Sequence, residues 1–181
     1  MRTLFAAILA ILAATPAAAD VRAATPQGFE IVNTVIVSVT AKDAYAALTK
    51  PARWWNPEHT FSGSAANLTL DVKPGGCFCE KLKDGGWAHH LEVTMVKPGE
   101  SIEFHGGLGP LRSEGVNGVL RWVVTPVDGG ATITQSYVVG GYFRKSAEVF
   151  GSAVDKVMQE QMDRLQSLLN TGAPVPSRLG D

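Results

Sequence analysis

The sequence predicts an α+β fold in which one curved antiparallel sheet packs against a long C-terminal helix. About seven stretches alternate apolar and polar residues, and the tight turns between them are typical of antiparallel pairing. From residue 145 to residue 169 the apolar residues recur instead at spacings of three and four, as in an amphipathic helix. Strands that are grouped in the chain and separated from the helices indicate an α+β layer architecture.

Length and charge restrict the class of protein. The chain has 181 residues, of which 45% are hydrophobic and 18% are charged, so one domain can bury a substantial core. The formal net charge is -1 and like charges do not form runs. Because nucleic acids and anionic membranes both attract basic patches, we expect neither as a partner.

Residues 1–19 have the pattern of a secretory signal peptide. Arg2 precedes an apolar stretch at 4–14, and three alanines stand before Asp20. The apolar stretch is too short to span a bilayer. We therefore predict cleavage near Ala19, a periplasmic or secreted mature protein, and no membrane insertion after cleavage. Both cysteines would then lie in an oxidising compartment.

The rest of the chain divides into a lead-in, a domain and a tail. Residues 20–28 are predicted to be a flexible lead-in, residues 29–170 a single domain, and residues 171–181 a flexible tail. Within the domain, a strand over 29–40 precedes two short helices, at 41–48 and from Pro51 onward. The later strands are predicted at 67–72, 77–82, 87–95, 101–105, 116–126 and 131–139.

A hairpin over residues 75–95 is the most informative stretch. Asp84-Gly85 favours a two-residue type I′ turn, and counting outward from it gives the register. The predicted pairs are Leu82 with Trp87, Glu80 with His89, and Phe78 with Leu91. Since side chains alternate between the faces of a strand, one face is apolar except for the Glu80–His89 pair.

The Glu80–His89 pair has two interpretations. A partly desolvated carboxyl group beside an imidazole can act as a general acid/base pair near neutral pH. Such pairs are also found as structural elements, or as groups that orient the polar end of a ligand. We favour the structural or ligand-orienting interpretation over the catalytic one.

Cys77 and Cys79 are predicted on the opposite face of the hairpin, with His90 and Glu92 across from them. Cysteine and histidine are zinc ligands, but two neighbouring strand positions are a weak tetrahedral corner, so we predict no metal. A disulfide is an alternative, although same-face Cα atoms in a regular strand lie about 6.5–7 Å apart, at the upper edge of disulfide geometry. The C-x-x-C redox motif does not occur. The prediction is two free or strained thiols.

Five motifs link the chain to a known group of proteins. They are ARWW at 52–55, PGGCFCE at 74–80, His89, GGLGPL at 106–111 and GVLRW at 118–122. With them the chain resembles the helix-grip fold of the START-like, or SRPBCC, superfamily. The closer likeness is to its polyketide cyclase/dehydrase-like and Hsp90-ATPase-activator-like branch. The resemblance covers about residues 29–169 and implies an apolar cavity between the sheet and the last helix.

The implied cavity defines a set of candidate ligand-binding residues. The glycine-rich stretch 106–111 is predicted to form a lip over it, and residues 140–143 a second gate. Aromatic side chains are expected along its wall, although each can also belong to an ordinary core. The candidates are Trp54, Trp55, Phe78, Trp87, Leu108, Leu111, Trp122, Tyr137 and Tyr142.

Three functions fit these features, because helix-grip proteins include carriers, enzymes and regulators. The favoured prediction is a periplasmic protein that binds a small hydrophobic or amphipathic molecule without a cofactor, with Glu80 and His89 at its polar end. A second is a cyclase or dehydratase in which Glu80 is the base and His89 its partner. A third is a protein-interaction module. It is less favoured, because an exported protein would not meet cytosolic Hsp90.

Overall fold

A computed structural model describes residues 20–176. The predicted signal peptide and residues 177–181 of the predicted tail lie outside the described residues. The described part contains eight strands and two α-helices. They are β1 (Asp20–Thr25), β2 (Gly28–Val37), α1 (Ala41–Leu48), β3 (Leu68–Leu70), β4 (Cys77–Lys81), β5 (Trp87–Lys97), β6 (Ser101–His105), β7 (Gly115–Val127), β8 (Gly130–Tyr142) and α2 (Ala147–Thr171).

The strands form one curved antiparallel sheet in the order β1-β2-β8-β7-β6-β5-β4-β3. Helix α2 packs against β1 and β2, and its buried residues include Met158, Met162 and Leu165. This arrangement is the predicted α+β helix-grip fold. The sheet has one strand more than predicted, because Asp20–Thr25 pairs with β2 and is not a flexible lead-in.

The connection after α1 differs from the prediction. Thr40 caps α1 by accepting a hydrogen bond from the Asp43 backbone N–H, as expected for a helix that begins at residue 41. The second short helix is reduced to one 3₁₀ turn, Pro51–Arg53. It delivers Trp54 and Trp55 into the core, where both indoles are buried. Their ring centroids lie 5.4 Å apart.

Buried polar side chains of α2 fix the position of the helix through hydrogen bonds to β2 and to the segment after α1. Asp155 accepts a hydrogen bond from Asn33 Nδ2 at 2.9 Å, and Gln161 accepts one from the Asn56 backbone N–H at 2.7 Å. Arg164 donates through Nε to the Trp54 carbonyl at 2.9 Å. All three α2 side chains are buried, so their partners satisfy groups that would otherwise destabilise the fold.

Helix α2 ends at Gly172, which adopts the left-handed conformation with φ 86°. The chain then turns back along the helix, where Ser167 donates to the Ala173 carbonyl and Arg164 to the Val175 carbonyl. The described part of the predicted flexible tail therefore packs on α2. None of the helices within residues 20–176 is long and apolar enough to cross a membrane.

We expect Gly118→Ala to destabilise the fold by about 1–3 kcal/mol. Gly118 lies on the inner face of β7, and a Cβ atom there would lie 2.5 Å from Cε2 of Tyr137. The aromatic ring is fully buried, and its hydroxyl is held by hydrogen bonds to Gly106 and Leu108. Urea unfolding monitored by fluorescence measures the change.

Gly140→Ala is the matched control for this substitution. Gly140 lies on β8 and is exposed, and a Cβ atom there would meet only the Gln27 carbonyl oxygen at 3.6 Å. Its free energy of unfolding should change by no more than about 0.5 kcal/mol. Equal effects of the two substitutions would contradict close packing between Gly118 and Tyr137.

Candidate functional site

The β4–β5 hairpin has a different register from the predicted one. The predicted type I′ turn is present at Asp84-Gly85, with φ 54° and 79° at these two residues and a hydrogen bond from the Gly86 N–H to the Lys83 carbonyl at 3.0 Å. The Leu82 N–H donates to the Gly86 carbonyl at 2.8 Å and Lys81 pairs with Trp87, so the ladder beyond the turn is shifted by one residue and the predicted Leu82–Trp87 pair is wrong. Glu80 pairs with Ala88 rather than His89, whereas the predicted Phe78–Leu91 pair is present.

A β-bulge at His90 explains why Glu80 pairs with Ala88 while Phe78 still pairs with Leu91. The register shifts between Phe78 and Cys79, so that Cys79 pairs with His89 while Phe78 pairs with Leu91. His90 is the extra residue, and a bulge of this kind breaks the alternation of faces. His90 and Leu91 are consecutive, yet both are buried, and His89 is exposed. The predicted Glu80–His89 pair is therefore wrong, and His90 takes its place.

The Glu80 carboxylate is fully buried and accepts three hydrogen bonds. His90 Nε2 lies 2.9 Å from Oε2. The backbone N–H groups of Phe61 and Ser62 donate to the two carboxylate oxygens at 3.1 and 2.5 Å. The carboxylate thus connects the hairpin to the loop between α1 and β3. Satisfied in this way, a buried carboxylate can remain ionised.

The ionisation states follow from these contacts. Burial raises the pKa of the Glu80 carboxyl, but the hydrogen bonds from Ser62, Phe61 and His90 outweigh it and lower the pKa below its ordinary value. Burial lowers the pKa of the His90 imidazole, and the Glu80 carboxylate only partly opposes this. Near neutral pH, Glu80 is therefore ionised and His90 is neutral.

Neutral His90 has one tautomer that suits the site. Because Nε2 faces the ionised Glu80 carboxylate, the proton must lie on Nε2. Nδ1 is then a hydrogen-bond acceptor. It is buried and has no hydrogen-bond partner among residues 20–176. The ring stacks on Phe61, with 5.5 Å between centroids and 3° between planes.

A cavity of about 360 Å³ lies between the sheet, the first half of α2 and two loops, with His90 in its wall. Most of its lining is apolar. The lining residues are Trp55, Glu58, His59, Thr60, Phe61, Leu68, Phe78, His90, Leu108, Gly109, Pro110, Phe150, Ala153, Val154, Val157 and Met158.

The structure brings only part of the predicted ligand-binding set to this cavity. Trp55, Phe78 and Leu108 line it. Other members lie in the core or in the packing beneath the loops, and two are exposed on the surface. The buried members outside the lining are Trp54, Leu111, Trp122 and Tyr137, and the exposed ones are Trp87 and Tyr142.

The buried Tyr137 hydroxyl fixes the position of residues 106–108 in the predicted lip. Its hydroxyl donates to the Gly106 carbonyl at 2.8 Å and accepts from the Leu108 N–H at 3.0 Å. Burial raises the pKa of Tyr137 to about 12, so the phenol stays protonated and makes both bonds. Leu108, Gly109 and Pro110 consequently reach the cavity wall. Tyr142, in the predicted second gate, is exposed.

A loop at residues 57–61 forms the opposite wall of the cavity mouth, and the sequence did not predict that it would lie there. Asn56 Nδ2 donates to Glu160 on α2 at 2.6 Å, and His59 Nε2 lies 3.0 Å from the other Glu160 oxygen. These contacts hold residues 57–61 against the helix. The sequence signals were weak, because a loop without periodicity does not reveal which helix residue it will meet.

The outer face of the hairpin also corrects the sequence prediction. A disulfide joins Cys77 and Cys79, whose Cα atoms lie 5.3 Å apart, so the predicted free thiols are wrong. The distance is shorter than in a regular strand and lies within the range of disulfide geometry. The side chain across from Cys79 is His89 rather than His90.

Comparison with solved structures finds the same architecture at low sequence identity. A protein from Mesorhizobium loti is 19% identical, with 77% of this chain and 96% of its own covered and a TM-score of 0.53. A conserved protein of unknown function from Enterococcus faecalis is 11% identical, with 89% and 82% covered and a TM-score of 0.61. CalU16 from Micromonospora echinospora is 12% identical, with 90% and 88% covered and a TM-score of 0.56. No curated protein matches the chain.

The fold and the cavity define a helix-grip protein of the SRPBCC type, as the resemblance implied. The chain belongs to the family described as polyketide cyclase / dehydrase and lipid transport, whose model matches residues 28–170. The match covers nearly all of the predicted domain. Since the family description includes both enzymes and carriers, the function must be argued from the site.

We expect Glu80→Gln to destabilise the protein by about 1.5–3 kcal/mol at pH 7, because three donors lose a charged acceptor. The substitution should also lower the pKa of His90 further, since the Glu80 carboxylate favours the imidazolium form. Urea unfolding and an NMR titration of the imidazole measure the two effects.

Glu92→Gln is the control, because Glu92 is exposed on the same hairpin.

The pH dependence gives a further check. Since folding lowers the pKa of Glu80, its stabilisation is present above the unfolded value of about 4.3 and is lost as the pH falls through the folded value. The stability difference between wild type and Glu80→Gln should therefore shrink in acid. A constant difference would argue against an ionised Glu80.

Proposed function

We propose that this protein binds a small amphipathic molecule in the cavity beneath α2, with a hydrogen-bond donor of the ligand directed at His90 Nδ1. One observation carries the proposal: His90 lines a mainly apolar cavity, and its buried Nδ1 atom has no hydrogen-bond partner among residues 20–176. An unsatisfied buried polar atom costs about 1–3 kcal/mol, so a ligand that satisfies it gains affinity and orientation.

The size and lining of the cavity support a small, largely apolar ligand. Its volume of about 360 Å³ lies at the lower end of the range of small-molecule sites. Trp55, Phe78 and Met158 supply broad apolar surface, whereas His90 supplies one oriented polar atom. Such a lining suits a hydrocarbon chain or ring system that carries a hydroxyl, an amide N–H or an enol.

The donor requirement makes the proposal specific. A neutral imidazole with its proton on Nε2 can only accept at Nδ1. Ligands whose polar end is an ether or an ester should therefore bind less well than the corresponding alcohols. A carrier that relied on the apolar lining alone would not discriminate between them.

We expect a medium-chain primary alcohol to bind about tenfold more tightly than its methyl ether, a difference of about 1.4 kcal/mol. His90→Leu should remove this preference, because no acceptor remains in the wall. His89→Leu should keep it, since His89 is exposed on the outer face. Displacement of a fluorescent apolar probe measures each affinity.

Blocking the cavity tests its location independently. Ala153 is an exposed residue of α2 that lines the cavity, and its neighbour Ser152 is exposed but does not line it. Ala153→Trp should weaken alcohol binding at least about tenfold by filling the entrance, whereas Ser152→Trp should not. Equal binding by both variants would place the ligand elsewhere.

A catalytic function is the second candidate, and the Glu80–His90 pair favours it. In this arrangement His90, not Glu80, faces the cavity, and Glu80 orients the ring and stabilises an imidazolium. His90 Nδ1 would take a proton from an acidic C–H or O–H of the substrate. In a dehydration it would return the proton to the hydroxyl that leaves as water while a C=C bond forms. In a cyclisation the carbanion would form a C–C bond to a carbonyl carbon of the same molecule, and the proton would return to the resulting alkoxide oxygen.

Hydrogen–deuterium exchange separates the catalyst from the carrier. A catalytic His90 should exchange the acidic C–H of an alkyl 1,3-diketone at least about 100-fold faster than buffer, and His90→Gln should lose this. NMR of the diketone in D₂O measures the rate. Exchange at the buffer rate, together with tight binding of the alcohol, would exclude the catalytic function and leave the carrier.

We place this binding function outside the cytoplasm. The signal-peptide pattern of residues 1–19 supports export, and so does a disulfide between Cys77 and Cys79. Fractionation of expressing cells, with a mass measurement of the mature N-terminus, tests this. Recovery of an uncleaved chain from the cytoplasm would contradict it.

A further inference from the structure

Three side chains of types that can bind metals lie close together on the face of the hairpin that points away from the cavity. Cys77 and Cys79 alternate along β4 with the buried Phe78 and Glu80, and their own side chains are half-buried. His89 lies directly across from Cys79 in the β4–β5 ladder and is exposed. The two sulfurs and one imidazole nitrogen all lie within 4.8 Å of one another.

We infer that Cys77, Cys79 and His89 form a redox-gated binding site for Zn²⁺. Two thiolates and one imidazole are ligands that zinc prefers, and three protein ligands with an open fourth position are an established zinc arrangement. The fourth position faces solvent, where water can occupy it. Glu92 pairs with Cys77 across the ladder and is exposed on the same face, but it is not one of the three grouped donors.

The geometry needs little rearrangement to accept the ion. Donors of one tetrahedral Zn²⁺ lie about 3.5–3.8 Å apart when the metal–ligand distances are about 2.0–2.3 Å. The three donor atoms are already within 4.8 Å. Since paired strands hold the Cα atoms, side-chain rotation has to bring the His89 nitrogen closer and, after reduction, to move the two sulfurs apart from bonding distance. His89 is exposed and free of core packing, which permits that rotation.

The disulfide makes the site conditional on redox state. In the oxidised form both sulfurs are bonded to each other and cannot ligate a cation. Reduction adds two electrons and two protons to the disulfide and yields two thiols, while a dithiol reductant is oxidised to its own disulfide. Zn²⁺ then displaces the two thiol protons. The thiolates so formed are its ligands.

Two features make this disulfide reducible. The cysteines are separated by one residue, so the closed loop is very short and its chain-entropy contribution to stability is small. Both side chains also lie on the outer face of the sheet, where a small dithiol can approach.

The test uses the purified protein with Co²⁺ as a spectroscopic probe and Zn²⁺ for affinity. Protein reduced with dithiothreitol, then freed of it without air, should bind one Co²⁺ with sulfur-to-cobalt charge-transfer absorption and the visible bands of a tetrahedral site. Competition with a chromophoric chelator then gives the Zn²⁺ affinity. The oxidised protein should show neither signal.

Variants identify the ligands. His89→Ala should weaken Zn²⁺ binding at least about tenfold and alter the visible Co²⁺ spectrum. Cys77→Ser with Cys79→Ser should abolish the charge-transfer band. His105→Ala is the control, because His105 is an exposed histidine outside the three-ligand group. His89 is exposed, so its loss should leave the fold intact.

Two results would overturn the inference. The first is equal Zn²⁺ affinity in the oxidised and reduced proteins, which would show that the sulfurs are not ligands. The second is unchanged Zn²⁺ affinity and an unchanged Co²⁺ spectrum in His89→Ala. That outcome would reduce the site to two thiolates with no contribution from the strand opposite.

Discussion

The buried carboxylate of Glu80 is the interaction on which the site depends. A charge in the interior is tolerated only when donors surround it. Here the donors come from β5, through His90, and from the loop that carries Phe61 and Ser62. One side chain thus holds the loop between α1 and β3 against the hairpin, and that loop forms one side of the cavity mouth.

The bulge at His90 has consequences on both faces of the hairpin. Toward the interior, it places His90 beside Leu91, so that an imidazole joins an otherwise apolar surface. Toward solvent, it turns His89 to the side of Cys77 and Cys79. A regular ladder would have given the opposite assignment of the two histidines, because a shift of one residue exchanges the faces of a strand. The ligand-binding proposal and the zinc inference therefore arise from the same irregularity.

Helix α2 has different roles along its length. Its first half contributes Phe150, Val154 and Val157 to the cavity, where the sheet does not fill the space against it. Its second half carries Met162, Leu165 and Leu168 into the core. Glu160 and Gln161 lie between these halves and bind the loop that begins at Asn56. Core packing of the second half of α2 thus closes one end of the cavity. Loops that polar contacts hold in place bound the other end.

The family description covers enzymes and carriers, and the contacts at His90 are compatible with either kind of function. An imidazole oriented by a buried carboxylate can accept a hydrogen bond from a ligand or remove its proton. Whether the imidazole binds the molecule or removes its proton depends on how acidic the group of that molecule at Nδ1 is.

The sequence by itself determined the α+β architecture, the order of α1, the strands from β2 onward and α2, and the presence of an acidic residue among the apolar residues of the hairpin. Those features depend on local periodicity and turn residues, which act over a few positions. Tertiary structure decided which histidine meets Glu80, that Cys77 and Cys79 approach to bonding distance, and that Asp20–Thr25 joins the sheet. A bulge and an edge strand depend on pairing with another part of the chain, and periodicity within one segment carries no information about that partner.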